Sequence, residues 1–331
     1  MKWIDMHCDT LSEIIRQQKE LKRNDLCADL ERLLRGGAGA QFFACFVNAG
    51  RYGLNMKGTD ENVVWDLAYQ DVLSMIARAG QEQDKRFKIA LNPDTVQKQS
   101  WKKKGKSEIL YGILTVEEGG VLNSRMERLD ELYDRGIRLM TLTWNYANCI
   151  GSPNSRNPAV MKEGLTEFGI NVIEQMNNKG MIIDVSHLSD GGFWDCIRYS
   201  RAPIVASHSN ARALCRHPRN LSDGMLRALG RKGGVVGVNF YSSFLRETGR
   251  AQLSDLVLHI RHIFNCAGED AVALGTDFDG FDPADCPADV DSVLDVEKVL
   301  FSLKKAGFTE KQTEKIAREN IKRIIGDVWR K

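Results

Sequence analysis

The chain has 331 residues and a net charge of +2, a balance that excludes the strongly basic footprint of a nucleic-acid-binding protein and gives no electrostatic reason to approach an acidic membrane surface. Apolar residues make up 43% and charged residues 27%, which places the chain among ordinary globular enzymes and away from disordered or fibrous sequences. No uncharged apolar run approaches the roughly 20 residues that a bilayer-spanning helix needs. Neither a nucleic acid nor a membrane is therefore expected as a partner.

The N-terminus, MKWIDMHCDT, enters a strand-like pattern at once and has no apolar signal core. The C-terminus, NIKRIIGDVWRK, is charged and helix-patterned, unlike a hydrophobic anchor signal. A cytoplasmic location is the expectation. The eight cysteines (Cys8, Cys27, Cys45, Cys149, Cys196, Cys215, Cys266 and Cys286) include no CxxC pair. They read as free thiols, many of them buried, and not as a structural zinc site.

Eight short apolar runs follow one another along the chain: Trp3–His7, Gln41–Val47, Leu110–Glu117, Ile137–Trp144, Met181–His187, Pro203–His208, Gly234–Tyr241 and Ala271–Asp277. Each is apolar through its body and rich in β-branched or aromatic residues, as strands of a parallel sheet buried on both faces are. Helix-patterned segments such as Met126–Arg135, Glu167–Lys179, Asp223–Lys232 and Ser254–Ala267 separate them, and this alternation implies parallel βα units. Eight units close a barrel, so the predicted fold is a single (β/α)8 barrel over residues 1–331. A ninth candidate, Phe87–Leu91, reads as part of a long insertion between the second and third strands. The lysine-rich WKKKGKSE at 101–108 reads as a solvated turn.

The polar residues that close these runs carry the chemistry. The first run ends on Asp5, His7 and Asp9, the third on Glu117 and Glu118, the fifth on Asp184 and His187, the sixth on His208 and the eighth on Asp277 and Asp279. In a barrel of this type the C-terminal strand ends and their loops form the active-site face. Side chains at i and i+2 of a strand share a face, so His7 and Asp9 can reach one ion while Cys8 points away. Only six histidines are present, and three of them close predicted strands. His259 and His262, at i and i+3 of a helix-patterned segment, have no evident carboxylate partner and read as a partly exposed helix face. His217, in RHPRN, reads as a structural or pocket-edge residue. Three histidines with at least three carboxylates exceed the needs of one four-coordinate ion. They suit two metals sharing a carboxylate, zinc best, with manganese or cobalt as substitutes.

The segments IDMHCD, LTVEEGG, RLMTLTWN, IIDVSHLS, APIVASHSNAR, RHPRNLSD, VVGVNFY and ALGTDFDG, in this order over nearly the whole chain, resemble the renal or membrane dipeptidases and their bacterial relatives. The resemblance implies a barrel of the amidohydrolase-like type and a two-zinc enzyme that hydrolyses dipeptides, tolerates a D-residue at the C-terminal position and forms a homodimer. It implies that His7, Asp9 and Glu117 hold one metal and that Glu117 bridges to a second, completed by His187 and His208. Asp277 would contact the bridging water and pass its proton to the leaving amine. Arg219 would bind the substrate's C-terminal carboxylate, and Tyr241 would form a pocket wall.

Two points of that pattern are particular to this chain. The family's bridging glutamate precedes Gly-Gly, which matches Glu118, whereas the spacing to the LTW segment and strand parity match Glu117. Glu117 is the reading adopted. The family also has a carbonyl-polarising histidine beside the LTLT run, where this chain reads LTWNYANC. Asn145 or Tyr146, a neutral donor, would take its place, which bears on efficiency and substrate range. Two other readings remain: lactone opening or N-acyl amino acid deacylation on the same metals, and a ligand-binding barrel with weakened catalysis.

Overall fold

A computed structural model describes residues 1–99, 101 and 109–330; the segment 101–108, expected to be a solvated turn, lies outside the described residues except for Trp101. Nine parallel strands are formed: β1 (Trp3–Cys8), β2 (Ala38–Phe46), β3 (Phe87–Ile89), β4 (Leu110–Glu117), β5 (Ile137–Thr141), β6 (Ile182–Asp184), β7 (Val205–Ala206), β8 (Val235–Val238) and β9 (Val272–Leu274). Hydrogen bonding runs β2-β1-β9-β8-β7-β6-β5-β4, and a further β2–β4 pairing from Ala40↔Tyr111 to Phe46↔Glu117 closes the ring. Eight strands thus make the barrel, as expected. β2 occupies one edge of β4. On the other edge β3 pairs with the first residues of β4 and β5 with the last. β3, the ninth candidate strand of the sequence, therefore belongs to the insertion and does not enter the ring.

Two apolar layers follow from strand alternation. Inside, Ile4, Met6, Ala40, Phe42, Ile113, Leu139, Ile182, Val205, Val235 and Ala273 fill the barrel. The C-terminal helix Asn320–Val328 joins this layer with Ile321, Ile324, Ile325 and Val328, so its apolar stripe packs onto the barrel interior. Outside, residues such as Cys8, Val116, Met140 and Leu274 pack with the surrounding helices. All eight cysteines are free thiols. Among the described residues no helix is long and apolar enough to cross a membrane.

Six of the eight barrel strands end before their apolar runs do; β4 ends with its run and β1 one residue beyond it. The β1–β2 register shifts between Asp5 and Cys8, where three steps on β1 oppose two on β2. Ile4 and Met6 face the barrel interior and Cys8 the outer layer; strict alternation from Met6 would turn His7 outward, and the irregularity re-aims it inward. Beyond the other strands the backbone loses regular extended geometry while still bonding across, as between the Asp277 amide and the His7 carbonyl. His187, Asp277 and Asp279 have φ of 67°, 61° and 69°, and Glu118 has φ of 105°. Such backbone is costly for residues other than glycine, and it concentrates here at the barrel mouth.

Candidate metal centre and substrate cavity

The strand ends bring His7, Asp9, Glu117, His187, His208 and Asp277 to one place. Glu117, on the last position of β4, is buried and central. Its Oε2 lies 3.2 Å from His7 Nε2, and its Oε1 lies 3.0 Å from His187 Nε2 and 3.5 Å from His208 Nε2. Asp9 Oδ2 and Asp277 Oδ1 lie 3.4 and 3.6 Å from His7 Nε2. The donor atoms of His7, Asp9 and Glu117 fall within 4.8 Å of one another, and so do those of Glu117, His187 and His208. These two sets share only Glu117, one oxygen to each side.

Burial would leave His7 neutral, but the adjacent Glu117 and Asp9 carboxylates hold it well above the usual imidazole range. Burial would likewise protonate Glu117, yet the His7 charge and the imidazoles of His187 and His208 beside it hold it well below the usual carboxylate range. Burial pushes His187 down to about 4, with the Arg219 charge adding to the effect, and His208 falls well below its usual value for the same reasons, reinforced by His7. Both are neutral imidazoles, as metal binding requires. Buried His7 Nε2 and Asp9 Oδ1 have no hydrogen-bond partner among the described residues. Buried polar atoms rarely go unpaired, and a mixed imidazole–carboxylate set with orphaned donors fits divalent cations of the zinc type.

The neighbours of these side chains are as ordered as the side chains themselves. Asp184 accepts from Thr141 Oγ1 (2.7 Å), the amides of Ser186 and Ser207, and the Ser207 hydroxyl. Ser207 Oγ in turn lies 2.7 Å from His208 Nδ1. Asn239 Nδ2 donates to Asp277 Oδ2 at 2.8 Å. Burial, with the Asp9 and Glu117 charges adding, raises the Asp277 carboxyl to about 8 against the lowering effect of His7. A Cβ on Gly280 would sit 2.4 Å from Asp9 Oδ2 and 2.6 Å from Asp277 Oδ1, so only glycine lets the chain pass this close to both carboxylates.

A cavity of about 550 Å³ opens beside the cluster, lined by Asp9, Glu117, His187 and Asp277 together with Phe46, Asn48, Arg51, Trp144, Asn145, Asn154, His217, Arg219, Tyr241, Phe244 and Phe281. Arg219 is buried; it donates from Nη1 to Ser209 Oγ (2.7 Å) and from Nη2 to the His208 carbonyl (2.8 Å). No carboxylate of the described residues forms an ion pair with it, and its buried Nε has no partner among them. Burial lowers this guanidinium to about 10, still charged at neutral pH. Tyr241 packs against Phe281, with ring centroids 5.0 Å apart, and forms a wall.

Of the two neutral donors expected beside Trp144, only Asn145 reaches the cavity. Tyr146 stands outside its lining, with its hydroxyl 3.4 Å from Asn48 Oδ1. Glu118 accepts from the Gly120 amide (2.9 Å), the Trp144 amide (3.2 Å) and Asn148 Nδ2, and it stays buried away from the metal-ligating sets. Asp5 ties three strands together through Gln41 and Thr276 and is likewise outside the site. Asp279 accepts from Thr10 and the Cys27 amide at the cavity edge.

The expectation of a partly exposed face without a carboxylate partner holds for the exposure of His262 and is corrected for the burial of His259 and the partner of His262. His259 is 1% exposed; its Nδ1 accepts from the Ala211 amide at 3.1 Å and its Nε2 lies 2.9 Å from the Leu245 carbonyl. His262 does have a carboxylate partner, Asp223 at 2.8 Å, supplied by a different helix. His217 is at the pocket edge, as expected, with Nδ1 accepting from the Arg219 amide. Asn239, Ser207, Asn154 and Gly280 are site residues that sequence reasoning missed. Asn239 and Ser207 stand beside noted residues, in VNFY and ASHS, but no spacing marks them.

The family model of the membrane dipeptidases, peptidase family M19, matches residues 1–330. The chain belongs to that family. An uncharacterised dipeptidase of Schizosaccharomyces pombe is 31% identical over 312 residues, covering 92% of this chain and 71% of the relative. The crystal structure of a family M19 metallopeptidase described as dipeptidase AC superimposes with a TM-score of 0.88 at 27% identity over 99% of both chains. A Rhodobacter sphaeroides metallopeptidase, crystallised with a phosphinate mimic of L-Ala-D-Ala, gives 0.85 at 25% identity, again over 99% of both chains. The protein is thus a metal-dependent dipeptidase of the M19 type on a (β/α)8 barrel, and the paired imidazole–carboxylate sets at its barrel mouth are its candidate metal groups.

Proposed function

We propose that the barrel mouth holds two zinc ions and that the enzyme hydrolyses dipeptides with a free C-terminal carboxylate, including those ending in a D-residue. His7, Asp9 and Glu117 would hold one ion, and Glu117, His187 and His208 the other. When bound, the ions polarise the scissile carbonyl and lower the pKa of water so that a nucleophile is available near neutral pH.

The chain's own residues supply the rest. Arg219 orients the substrate through its carboxylate, which fixes how far the scissile bond can reach into the cavity. Asp277, held at Oδ2 by Asn239, takes the proton of the attacking water on Oδ1 and delivers it to the departing amine. Asn145, on the cavity wall, donates to the carbonyl oxygen as charge develops there. Trp144, its ring 6.3 Å from that of His187, keeps bulk water from that side.

The observation that carries this reading is Arg219, a buried cation with no anionic partner among the described residues, lining the same cavity as Glu117. An unpaired buried charge is strongly unfavourable, and a substrate carboxylate completes it. A lactone has none to offer. An N-acyl amino acid does, and it remains the second reading on the same observation. Tolerance of a D-residue is supported by the phosphinate mimic of L-Ala-D-Ala held by the Rhodobacter relative. The test is a panel of L,L- and L,D-dipeptides, their carboxamides, N-acetyl amino acids and lactones. Hydrolysis of dipeptides of both kinds, with the carboxamides about 30-fold or more poorer, supports the proposal. Preference for N-acetyl amino acids or lactones contradicts it.

A further inference from the structure

Behind the barrel, the helices Asp223–Arg231 and Leu253–Ala267 pack together and bring a second group of ligating side chains into one spot. His262 and Cys266 are one turn apart on the longer helix, so they share a face. Asp223, the first residue of the other helix, faces them. His262 Nε2 lies 2.8 Å from Asp223 Oδ1 and 3.5 Å from Cys266 Sγ, and all three donor atoms lie within 4.8 Å of one another. None of the three is fully buried.

The same nitrogen thus faces both an oxygen and a sulfur. One N–H can align with only one of them, whereas a cation satisfies all three donors together. The separations fit such an ion. Bonds of about 2.0 Å to nitrogen and about 2.3 Å to sulfur at a tetrahedral angle place these atoms about 3.5 Å apart, and the His262–Cys266 distance is 3.5 Å. The corresponding nitrogen–oxygen edge is about 3.3 Å, so a shift of about half an ångström by the half-exposed Asp223 side chain completes the geometry.

The geometry points to a third metal site on this enzyme, formed by Asp223, His262 and Cys266 and suited to zinc or another thiolate-binding divalent cation, with water in the fourth position. On binding, the Cys266 thiol gives its proton to solvent, His262 carries its single proton on Nδ1 and turns the Nε2 lone pair to the ion, and the Asp223 carboxylate adds the third metal–ligand bond. The consequence is a cross-link between two helices of the outer layer. One begins four residues after Arg219; the other carries His259, which anchors the Ala211 amide just beyond His208.

Cysteine makes this site readable independently of the barrel mouth, where the candidate sets offer only imidazole and carboxylate. Metal-replete enzyme is titrated with Co(II), and the near-ultraviolet thiolate-to-cobalt charge-transfer absorption is followed. A band saturating at one further equivalent per chain is expected, lost in Cys266→Ser and requiring at least tenfold more Co(II) in His262→Gln, with dipeptide hydrolysis unchanged in both variants. Absence of the band, its persistence in Cys266→Ser, or an unchanged titration in His262→Gln would overturn the assignment.

Discussion

Ser207 Oγ lies 2.7 Å from His208 Nδ1, and because its own proton is committed to Asp184, the imidazole must be the donor in that contact. The Nδ1–H tautomer is thereby fixed, leaving a lone pair on Nε2, the atom that faces Glu117. A carboxylate–hydroxyl–imidazole chain of this kind sets ligand direction and basicity from behind. Ser207→Ala removes the acceptor and frees the tautomer. Metal affinity should fall about 10- to 100-fold while the circular dichroism spectrum is retained. Competition with a chelator of known affinity measures it, and an unchanged affinity would show that the chain through Asp184 has no part in holding His208.

Arg219 makes a prediction that separates binding from folding because it can be tested from the substrate side. Losing one partner of a buried, hydrogen-bonded charge pair costs about 2–5 kcal/mol, which is about 30-fold or more in kcat/KM. Replacing the dipeptide carboxylate by a carboxamide should therefore cost the wild-type enzyme at least that factor, mostly in KM. In Arg219→Met both substrates should be poor and nearly equal, within about threefold. A wild-type enzyme indifferent to the carboxamide would remove Arg219 from substrate recognition.

His259 gives a pH dependence unrelated to the metals. Burial holds its folded pKa at about 4, against an ordinary value of 6.5. Between these values the unfolded chain binds a proton that the folded one refuses, so stability rises with pH across this window and is lost as pH falls through it. The full difference, reached below pH 4, is about 3 kcal/mol. Urea unfolding midpoints measured from pH 7.5 to 4 should fall accordingly, and His259→Gln should be less stable at pH 7.5 but flatter with pH. Parallel curves for the two proteins would contradict this origin.

Much of the fold and the centre of the site was legible because both rest on short-range rules. Apolar runs closed by His7, Glu117, His187, His208 and Asp277 announce buried parallel strands whose ends meet at one mouth. What was not legible depends on contacts between distant segments. Strand parity placed Glu117 correctly toward the barrel axis, yet it could not foresee the β1 irregularity that turns His7 inward, nor the positive φ of His187 and Asp277. The Asp223 partner of His262 comes from a helix 39 residues away, so no local pattern on His262's own helix could reveal it. Tyr146 and Asn145 are neighbours in sequence, and only the path of the loop decides that Asn145 alone reaches the cavity. Glu118 was a genuine rival on sequence, and its role emerges only from the amides of Gly120 and Trp144 that it caps.

Glu117 belongs to both ligand sets and would join the two metal ions. Elemental analysis of wild-type enzyme, Glu117→Gln and Glu118→Gln, each reconstituted with zinc and freed of excess, tests it most directly. About two barrel-mouth ions per chain are expected in the wild type, counted in a Cys266→Ser background to exclude the helix site. Glu118→Gln should keep both ions, and Glu117→Gln should lose at least one together with dipeptide hydrolysis. A single ion in the wild type, or two ions in Glu117→Gln with loss confined to Glu118→Gln, would contradict it.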